Sequence, residues 1–242
     1  MERQDGAMAN PPSALYPAPS VVLSVGGSLL NDGKPNAEMA KKLAEAIRSA
    51  GVPCGIVCGG GVQARKKVER ARKKTGSEFE ADLAGIKITY KNADALRLAL
   101  GAEAGPKVFK DFKTARKAAG RQKFIVMGGT IPGITTDADS ALLAEALGAK
   151  RLVNVSNTAI YDSDPKTNPN AKKFGTMSYA ELISLAQKSD ARMAGTHFVF
   201  DLLACSLIAR SRIETHFVDG RDAGQLKAAI LGQPHNGTVV RG

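Results

Sequence analysis

The stretch Gly129-Thr130-Ile131-Pro132-Gly133-Ile134-Thr135-Thr136-Asp137 lies between a short apolar run, Phe124–Met127, and a segment rich in helix-forming residues that begins at Asp137. A four-residue apolar run that ends in glycines is typical of a buried strand. Glycine lets the backbone approach a ligand closely, and threonine hydroxyls beside the N–H groups of a helix start suit an anion or a polar ring. An ordinary strand–turn–helix connection, with the aspartate as its cap, explains the same residues equally well.

Two further apolar runs also end in glycines. Val21–Val25 is followed by Gly26-Gly27-Ser28, and Gly55–Cys58 is followed by Gly59-Gly60-Gly61. Successive backbone N–H groups in such turns can cradle phosphates. Three glycine turns along one edge of a sheet therefore indicate a cleft for a heavily phosphorylated ligand.

Short strands alternate with helical patterns along the whole chain. This alternation predicts an α/β fold, with a mainly parallel central sheet sandwiched between helices and ligands beyond the carboxyl ends of the strands. The expected helices are 36–50, one through the basic run 65–74, 79–100, 111–119, 178–188, 201–209 and 222–231; the further expected strands are 108–109, 151–155, 197–200, 215–218 and 238–240. The proline-rich residues 1–20 follow neither period and are expected to be a flexible extension, with residues 21–242 as one domain.

The composition is that of a soluble protein, with 43% hydrophobic and 24% charged residues in a chain of 242. No run approaches the roughly 20 apolar residues of a membrane helix, and the N-terminus lacks a secretion signal, so a cytoplasmic location without membrane contact is expected. Cys54, Cys58 and Cys205 match no zinc or redox spacing. The first two lie in an apolar stretch and are expected to be buried thiols in a reducing compartment.

The formal net charge is +11, and much of the excess lies in the run Arg65–Lys74. At helical spacing most of these side chains face solvent, and no aromatic residue stands among them to stack on bases, so nucleic acid is not an expected partner. The sequence has no G-x-x-x-x-G-K-[ST], G-x-G-x-x-G or G-x-S-x-G motif, and its three histidines lack metal-ligand spacing. These absences disfavour P-loop, hydride-transfer and serine-esterase chemistry, and no metal site on protein ligands is predicted.

Several short motifs, taken in order, resemble those of the amino acid kinase superfamily and, within it, the archaeal-type uridylate kinases, which phosphorylate UMP with ATP. The motifs are Val25–Leu29, Cys58–Gly61 with Ala64-Arg65, Asp82–Ile86 with Thr89 and Asn92-Ala93, Gly129–Asp137, Tyr161 with Asp164-Pro165-Lys166, Asn168–Lys173, Phe198–Asp201 and Asn236-Gly237-Thr238. The likeness runs from about Val21 to Val240, nearly the whole chain.

The resemblance implies two nucleotide sites. It implies UMP contacts at Gly60, at Asp82 as the acid that grips the ribose hydroxyls, and along a loop that wraps the nucleotide, formed by Thr130, Ile131, Pro132, Gly133, Ile134, Thr135 and Thr136. It implies ATP contacts at Gly27, Ser28, Gly61 and Arg65, with a pocket for adenine and its ribose formed by Ser156, Asn157, Tyr161 and Asp164.

The implied reaction is direct in-line transfer of the γ-phosphoryl group of ATP to UMP. A phosphate monoester oxygen is already anionic at neutral pH, so the protein needs no general base and instead aligns two polyanions, with Mg²⁺ carried by the nucleotide. Arg65, Asp137 and Asp201 are the candidates for catalytic roles, the arginine as a phosphate fork and the aspartates as organisers of cations. The resemblance also implies a homohexamer built from dimers.

Two departures from the family pattern accompany the resemblance. Ser24 stands where many superfamily members carry a lysine, and Ser156–Tyr161 stands where the family usually has Asn-Val-Asp-Gly-Val-Tyr and lacks the acid of that motif. Two alternative functions stay open: another kinase of the superfamily, such as isopentenyl phosphate kinase, and a non-catalytic nucleotide- or anion-binding protein on the same fold. Val62–Arg65, which lacks a histidine after the second glycine turn, argues against the former.

Overall fold

The computed structural model describes residues 14–157, 159–163, 165, 167–190 and 200–242. The strands in these ranges are β1 Val21–Val25, β2 Cys54–Cys58, β3 Phe124–Met127, β4 Arg151–Ser156, β5 Thr176–Met177, β6 Glu214–Asp219 and β7 Thr238–Val240. The helices are α1 Gly27–Leu30, α2 Ala37–Ser49, α3 Gly61–Thr75, α4 Glu78–Leu100, α5 Phe112–Ala118, α6 Thr136–Leu147, α7 Tyr179–Asp190, α8 Leu202–Ser211 and α9 Ala223–Leu231.

One sheet joins these strands in the order β3-β2-β1-β4-β6-β7-β5. The first five are mutually parallel, so their carboxyl ends meet at one edge, whereas β7 runs antiparallel to β6. Every residue of β1, β2 and β3 is buried, as expected for strands covered on both faces. The prediction of an α/β fold with a mainly parallel sheet between helices is confirmed.

Each face of the sheet carries its own core. Leu23 of β1 packs in one core with apolar side chains of α2, α4 and α9, such as Leu43, Leu96 and Leu226. Val22 points to the opposite face and packs in a second core with side chains of α5, α6, α7 and α8. Full burial of a Leu, Ile or Phe side chain contributes about 1.5–3 kcal/mol, so these two layers fix the sheet that carries the site.

Short polar side chains set the helix starts. Side-chain oxygens accept hydrogen bonds from backbone N–H groups in the first turns of six helices, at Asn36, Ser77, Asp111, Thr135, Asp201 and Asp222. Ser178 and Glu181 bond reciprocally before α7, as their capping-box spacing predicts. The sequence therefore placed most helix ends within two residues.

Three strand expectations have different outcomes. Of 108–109, only Phe109 joins the sheet, through a single bridge to Met127. Of 197–200, residues 197–199 lie outside the described residues, and Phe200 is buried edge-on against Phe217 with ring centroids 5.4 Å apart. The two-residue strand β5 has no counterpart among the expectations, because its length carries no period.

The division into residues 1–20 and 21–242 stays a prediction, because residues 1–13 lie outside the described residues. From Ala14 onward the chain follows the domain surface: the N–H groups of Leu15 and Tyr16 donate to the Gly120 carbonyl at 2.7 and 2.9 Å. None of the helices described here is both long and apolar enough to cross a membrane.

Candidate active site

The first two glycine turns lie against each other at the carboxyl edge of the sheet. The Gly59 N–H donates to the Val25 carbonyl at 2.8 Å. A Cβ placed on Gly27 would lie 2.1 Å from the Gly61 nitrogen, and Gly61 itself adopts a positive φ of 66°. Only glycine permits this approach at both positions. The backbones before α1 and α3, which the sequence assigned to ATP and UMP contacts, therefore form one continuous surface.

Two buried amides hold the second turn in place. The Asn31 Nδ2 donates to the Gly60 carbonyl at 2.9 Å and to the Asn92 Oδ1 at 3.0 Å. The Asn92 Nδ2 in turn donates to the Gly59 carbonyl at 2.7 Å. Because both amides are buried, each lost hydrogen bond would cost about 1–3 kcal/mol. They position the turn although the sequence assigned neither a role in the site.

The third turn, Gly129–Asp137, is held by side chains from α4 and α6. The Thr89 hydroxyl accepts from the Gly129 N–H at 2.8 Å. The buried Asp139 carboxylate accepts from the Thr130 N–H at 3.0 Å and from the Thr130 hydroxyl at 2.6 Å. Thr130 is thus turned inward by Asp139, and the start of the loop is fixed to the helix that follows it.

Asp82 reaches the same loop from α4. Its Oδ2 accepts from the Gly133 N–H at 2.8 Å across 51 residues of sequence. The loop residues around Gly133 differ in exposure: Ile131 is 55% exposed, whereas Pro132 and Ile134 are partly buried. The predicted ribose grip and the predicted nucleotide loop are therefore in direct contact, which their separate motifs could not show.

Thr135, and not Asp137, caps α6. The Thr135 hydroxyl accepts from the Ala138 N–H at 3.1 Å and also donates to the Asp201 carboxylate, which itself caps α8. Thr136 begins the helix, with its hydroxyl beside the Gly59 backbone. The interpretation of Asp137 as an ordinary helix cap is thus wrong, because the preceding threonine already supplies the cap.

The Asp137 side chain instead points back to the sheet. Its Oδ1 accepts from the Ser24 hydroxyl at 2.8 Å and from the Asn154 Nδ2 at 3.2 Å, and these two residues pair in register on β1 and β4. Burial, and secondarily the charge of Asp201, raise the pKa of Asp137 to about 7, against the opposing hydrogen bond from Ser24. Asp137 and Asp201 are therefore brought together, as two carboxylates at the centre of the edge.

No basic side chain neutralises this pair within the described residues. Every ion pair found there involves other acids, and neither Asp137 nor Asp201 has a lysine or arginine within 4.0 Å. The buried Asn154 Oδ1 beside them accepts no hydrogen bond. In the same ranges, no group of three or more His, Cys, Asp or Glu side chains is arranged to hold a metal ion. The side-chain oxygens of Asp137, Asp201 and Asn154 suit a cation that is carried into the site by a ligand.

The predicted ATP residues lie beside the first turn. The Asn157 Nδ2 approaches the Ser28 hydroxyl at 3.4 Å, which joins the end of β4 to α1. Ser156 accepts from the Gly220 N–H through its carbonyl at 2.8 Å, and Tyr161 forms a β-bridge with Lys173. Asp164 lies outside the described residues. Ser156 and Asn157 are therefore adjacent to the predicted phosphate turn, whereas Tyr161 is held by the bridge to Lys173.

Arg65 is the one predicted catalytic residue that touches none of the others. It lies exposed near the start of α3, and it forms no ion pair with any described acid. The remaining cations of α3 are exposed as well, as the sequence predicted for a solvated face. Arg65 is thus an exposed arginine beside the second glycine turn, and no described acid holds it away from a ligand.

The sequence assigned no role in the site to six buried polar residues: Asn31, Thr89, Asn92, Asp139, Asn154 and Thr238. A polar residue within an apolar stretch is the sequence signal that could have found them. On the predicted ATP side, Arg221 was missed as well; its Nη2 donates to the Asn157 carbonyl at 3.2 Å while its guanidinium pairs with Asp219. Arg221 follows β6 in the chain and borders the loop after β4.

Comparison with known proteins identifies the class to which this fold and site belong. The family model described as the amino acid kinase family matches residues 19–219. The chain therefore belongs to the amino acid kinase family.

Particular members of that family are similar over nearly the whole chain. The uridylate kinase of Pyrococcus abyssi is 44% identical over 223 residues, which cover 91% of this chain and 98% of that protein. The uridylate kinase of Thermococcus gammatolerans is 42% identical with the same coverage. The crystal structure of uridylate kinase from Archaeoglobus fulgidus superposes with a TM-score of 0.79 at 35% identity, covering 91% of this chain and 99% of that chain.

Proposed function

We propose that this protein is a UMP kinase that transfers the γ-phosphoryl group of ATP to UMP, giving UDP and ADP. The single observation that carries the proposal is the contact of Asp82 with the Gly129–Asp137 loop at the carboxyl edge of the sheet, beside two packed glycine turns. The similarity to uridylate kinases over 91% of the chain supports the same assignment. The reaction would serve pyrimidine nucleotide synthesis in the cytoplasm, a reducing compartment that suits three buried cysteine thiols.

The acceptor side of the proposed site is the Gly129–Asp137 loop with Asp82 and Gly60. One Asp82 oxygen accepts from the Gly133 N–H, which leaves the second oxygen to accept from a ribose hydroxyl. Hydrogen bonds to a charged group contribute about 1.5–3 kcal/mol, enough to orient the sugar. Backbone N–H groups and threonine hydroxyls from Thr130 to Thr136 then contact the phosphate and the uracil.

The donor side is the surface formed by the first turn and the end of β4. Gly27, Ser28 and Gly61 would contact the phosphates of ATP, because α1 and α3 begin there and the backbone N–H groups of a helix start favour anions. Ser156, Asn157, Tyr161 and Asp164 would hold adenine and its ribose. Arg221 supports this side through its bond to the Asn157 carbonyl.

The protein's contribution to transfer is alignment and neutralisation of charge. The UMP phosphate oxygen attacks the γ-phosphorus in line while the bond to the ADP oxygen breaks, and no proton must be removed first. Mg²⁺ bound to the nucleotide would offset the charge of the phosphates. Asp137 and Asp201, with no basic partner among the described residues and with the free Asn154 oxygen nearby, are the groups that would face such a cation. Arg65, exposed at the second turn, would fold over the transferring group.

The proposal is tested by a coupled assay of ADP release with ATP, Mg²⁺ and each nucleoside monophosphate in turn. We expect turnover with UMP that EDTA abolishes, and we expect Arg65→Ala to depress kcat strongly, by about 100-fold. Lys67→Ala, an exposed change on the same helix, is the matched control and should leave kcat unchanged.

The loop after β4, which lacks the acid of the family motif, favours one alternative, a non-catalytic nucleotide-binding protein on this fold. It predicts tight binding of UMP or ATP by calorimetry without turnover of any monophosphate. That result would overturn the kinase assignment and leave the family assignment intact.

A further inference from the structure

The C-terminal turn Asn236-Gly237-Thr238 is a motif of the sequence that the proposed reaction leaves without a role. Thr238 is fully buried at the start of β7, next to the segment that follows β4. Its hydroxyl donates to the Phe174 carbonyl at 2.6 Å and accepts from the Ile160 N–H at 3.0 Å. One side chain from the end of the chain thus bonds to both Ile160 and Phe174, 14 residues apart in sequence.

Ile160 and Phe174 are the two ends of a loop that closes on itself. The Phe174 N–H donates to the Ile160 carbonyl at 3.0 Å, and the Asp162 N–H donates to the Lys172 carbonyl at 3.0 Å. Tyr161 and Lys173 form a β-bridge between these contacts. We call residues 161–173 the donor loop, since it carries Tyr161 and Asp164 of the proposed ATP site. Thr238 therefore bonds to both residues that flank the donor loop, Ile160 and Phe174, which we call the neck of the loop.

The turn that presents Thr238 is itself fixed. A Cβ on Gly237 would lie 2.0 Å from the Phe217 carbonyl oxygen, so glycine is required where the turn crosses β6. The Gly237 N–H donates to His235 Nδ1 at 3.0 Å. His235 Nε2 then donates to His216 Nδ1 at 2.6 Å, and His216 Nε2 donates to the Glu214 carboxylate at 2.8 Å. This single direction of donation fixes both histidine tautomers and ties the turn to β6.

A second contact joins the turn to the donor loop. The Lys173 ammonium donates to the Asn236 carbonyl at 2.5 Å, and the Asn236 N–H donates to the Gln225 side chain at 2.5 Å. The turn therefore bonds to Ile160, Lys173 and Phe174, through the buried hydroxyl of Thr238 and the exposed ammonium of Lys173.

From this juxtaposition we propose that Thr238 is a positioning residue for the phosphoryl donor: the C-terminal turn sets where the donor loop places the adenine and ribose of ATP. The inference rests on the proposed function, because the donor loop is an ATP site only if the chain is a kinase. Among the described residues, the Thr238 side chain hydrogen-bonds to Ile160 and Phe174 and to no residue of Gly129–Asp137, so we expect its effect to be specific to the donor. A merely structural threonine would affect both substrates equally.

The test compares Thr238→Val, Thr238→Ser and Thr215→Val. Valine keeps the shape of threonine but leaves the Ile160 N–H and the Phe174 carbonyl without partners, whereas serine keeps the hydroxyl. Thr215 is an equally buried threonine near the start of β6, and among the described residues its hydroxyl bonds only to the nearby Ile213 carbonyl. It controls for the loss of a buried hydroxyl that does not bond to the donor loop.

We expect Thr238→Val, which removes both hydrogen bonds to the ends of the donor loop, to raise the KM for ATP about tenfold, while the KM for UMP changes less than about twofold. Thr238→Ser should restore the wild-type KM for ATP, and Thr215→Val should not alter it. If Thr238→Val fails to fold, Lys173→Met, an exposed change that removes the second contact, should raise the KM for ATP alone by about threefold. Equal rises in both KM values, or none, would overturn the inference.

Failure of the proposed function gives a different result. If the wild-type chain turns over no monophosphate, ATP binding by calorimetry replaces the KM, and Thr238→Val should weaken it while Thr215→Val does not. If the wild-type chain binds no ATP at all, both the kinase proposal and this inference are wrong.

Discussion

At the scale of single residues, the site places carboxylates where charge is disfavoured. Burial raises the pKa of Asp137 to about 7, and burial also raises the pKa of Asp139 to about 6 against the hydrogen bonds from Thr130. The unfolded chain would ionise both near the ordinary value of 3.8. The native protein therefore carries a stability cost at neutral pH, which a bound cation would offset.

The first prediction concerns Asp137→Asn. A raised native pKa means that the native state binds the proton more tightly, so the cost is absent below pH 3.8, grows between 3.8 and 7 and is complete above 7. The amide removes this cost, so the variant should melt about 2–4 °C above the wild type at pH 8 and show a smaller difference at pH 5, while kcat falls by about 100-fold. Thermal scans at both pH values check this, with the exposed Asp32→Asn as control; equal shifts at both pH values would contradict it.

The second prediction concerns Asp82→Asn. The amide oxygen can still accept from the Gly133 N–H, but the charge that would hold the ribose is gone. We expect the KM for UMP to rise about tenfold and the KM for ATP to change less than about twofold. Glu80→Gln, an exposed change on the same helix, is the control. A larger effect on ATP than on UMP would move Asp82 to the donor side.

At the scale of elements, the site depends on how closely α1 and α3 begin to one another. Their first residues, Gly27 and Gly61, are in backbone contact, and neither position has room for a side chain. Asn31 at the end of α1 and Asn92 within α4 then donate hydrogen bonds to the Gly60 and Gly59 carbonyls at this junction. These bonds connect α1, α3 and α4 to one another beside the ends of β1 and β2.

The third prediction concerns Gly27→Ala. A Cβ there would lie 2.1 Å from the Gly61 nitrogen, so the turns must separate, with a cost of about 1–3 kcal/mol and loss of the phosphate surface. We expect a lower denaturation midpoint and at least about a 100-fold loss of kcat/KM. Gly175→Ala is the matched control, since its Cβ would meet no atom within 4 Å. Wild-type activity in Gly27→Ala would show that the turns are not the phosphate site.

At the scale of the whole molecule, the net charge of +11 would attract the two anionic substrates of the proposed reaction. The exposed cations of α3 begin at the second glycine turn and continue away from it. Such a field attracts anions before contact, and salt screens it over about 8 Å at physiological ionic strength.

The fourth prediction concerns ionic strength. The KM values for UMP and ATP should both rise severalfold as KCl increases from about 0.05 to about 0.5 M, while kcat stays nearly constant, because screening weakens encounter and not alignment. Sucrose of equal osmolarity is the control. KM values that do not change with salt would assign the basic helix no part in substrate capture.

The fifth prediction concerns assembly, which we propose to be a homohexamer. With a chain of 25.4 kDa, light scattering after gel filtration should give roughly 150 kDa. A monomer or a plain dimer that retains full activity would contradict this proposal and leave the site within one chain.

The elements were largely predictable from the sequence, because their causes are local. Apolar runs of four or five residues gave the buried strands, side-chain caps such as Asn36 and Asp222 gave the helix starts, and glycines gave the turns after β1, β2 and β3. The order of these local signals also carried the resemblance from which the site residues were drawn. The pairing of β7 with β6 and the bridge of Phe109 had no such signal.

The α/β fold and the glycine turns on one edge of the sheet could be predicted from the sequence alone, because spacing, capping and glycine act over a few residues. The contacts that hold this edge together could be seen only in the folded chain: Ser24 with Asp137 across 113 residues, Asn31 with Asn92 across 61 residues and Thr238 with Ile160 across 78 residues. A single polar residue in an apolar stretch looks the same whether or not it has a partner. Its partner is chosen by strand order and helix packing, which hydrophobic burial over the whole chain determines.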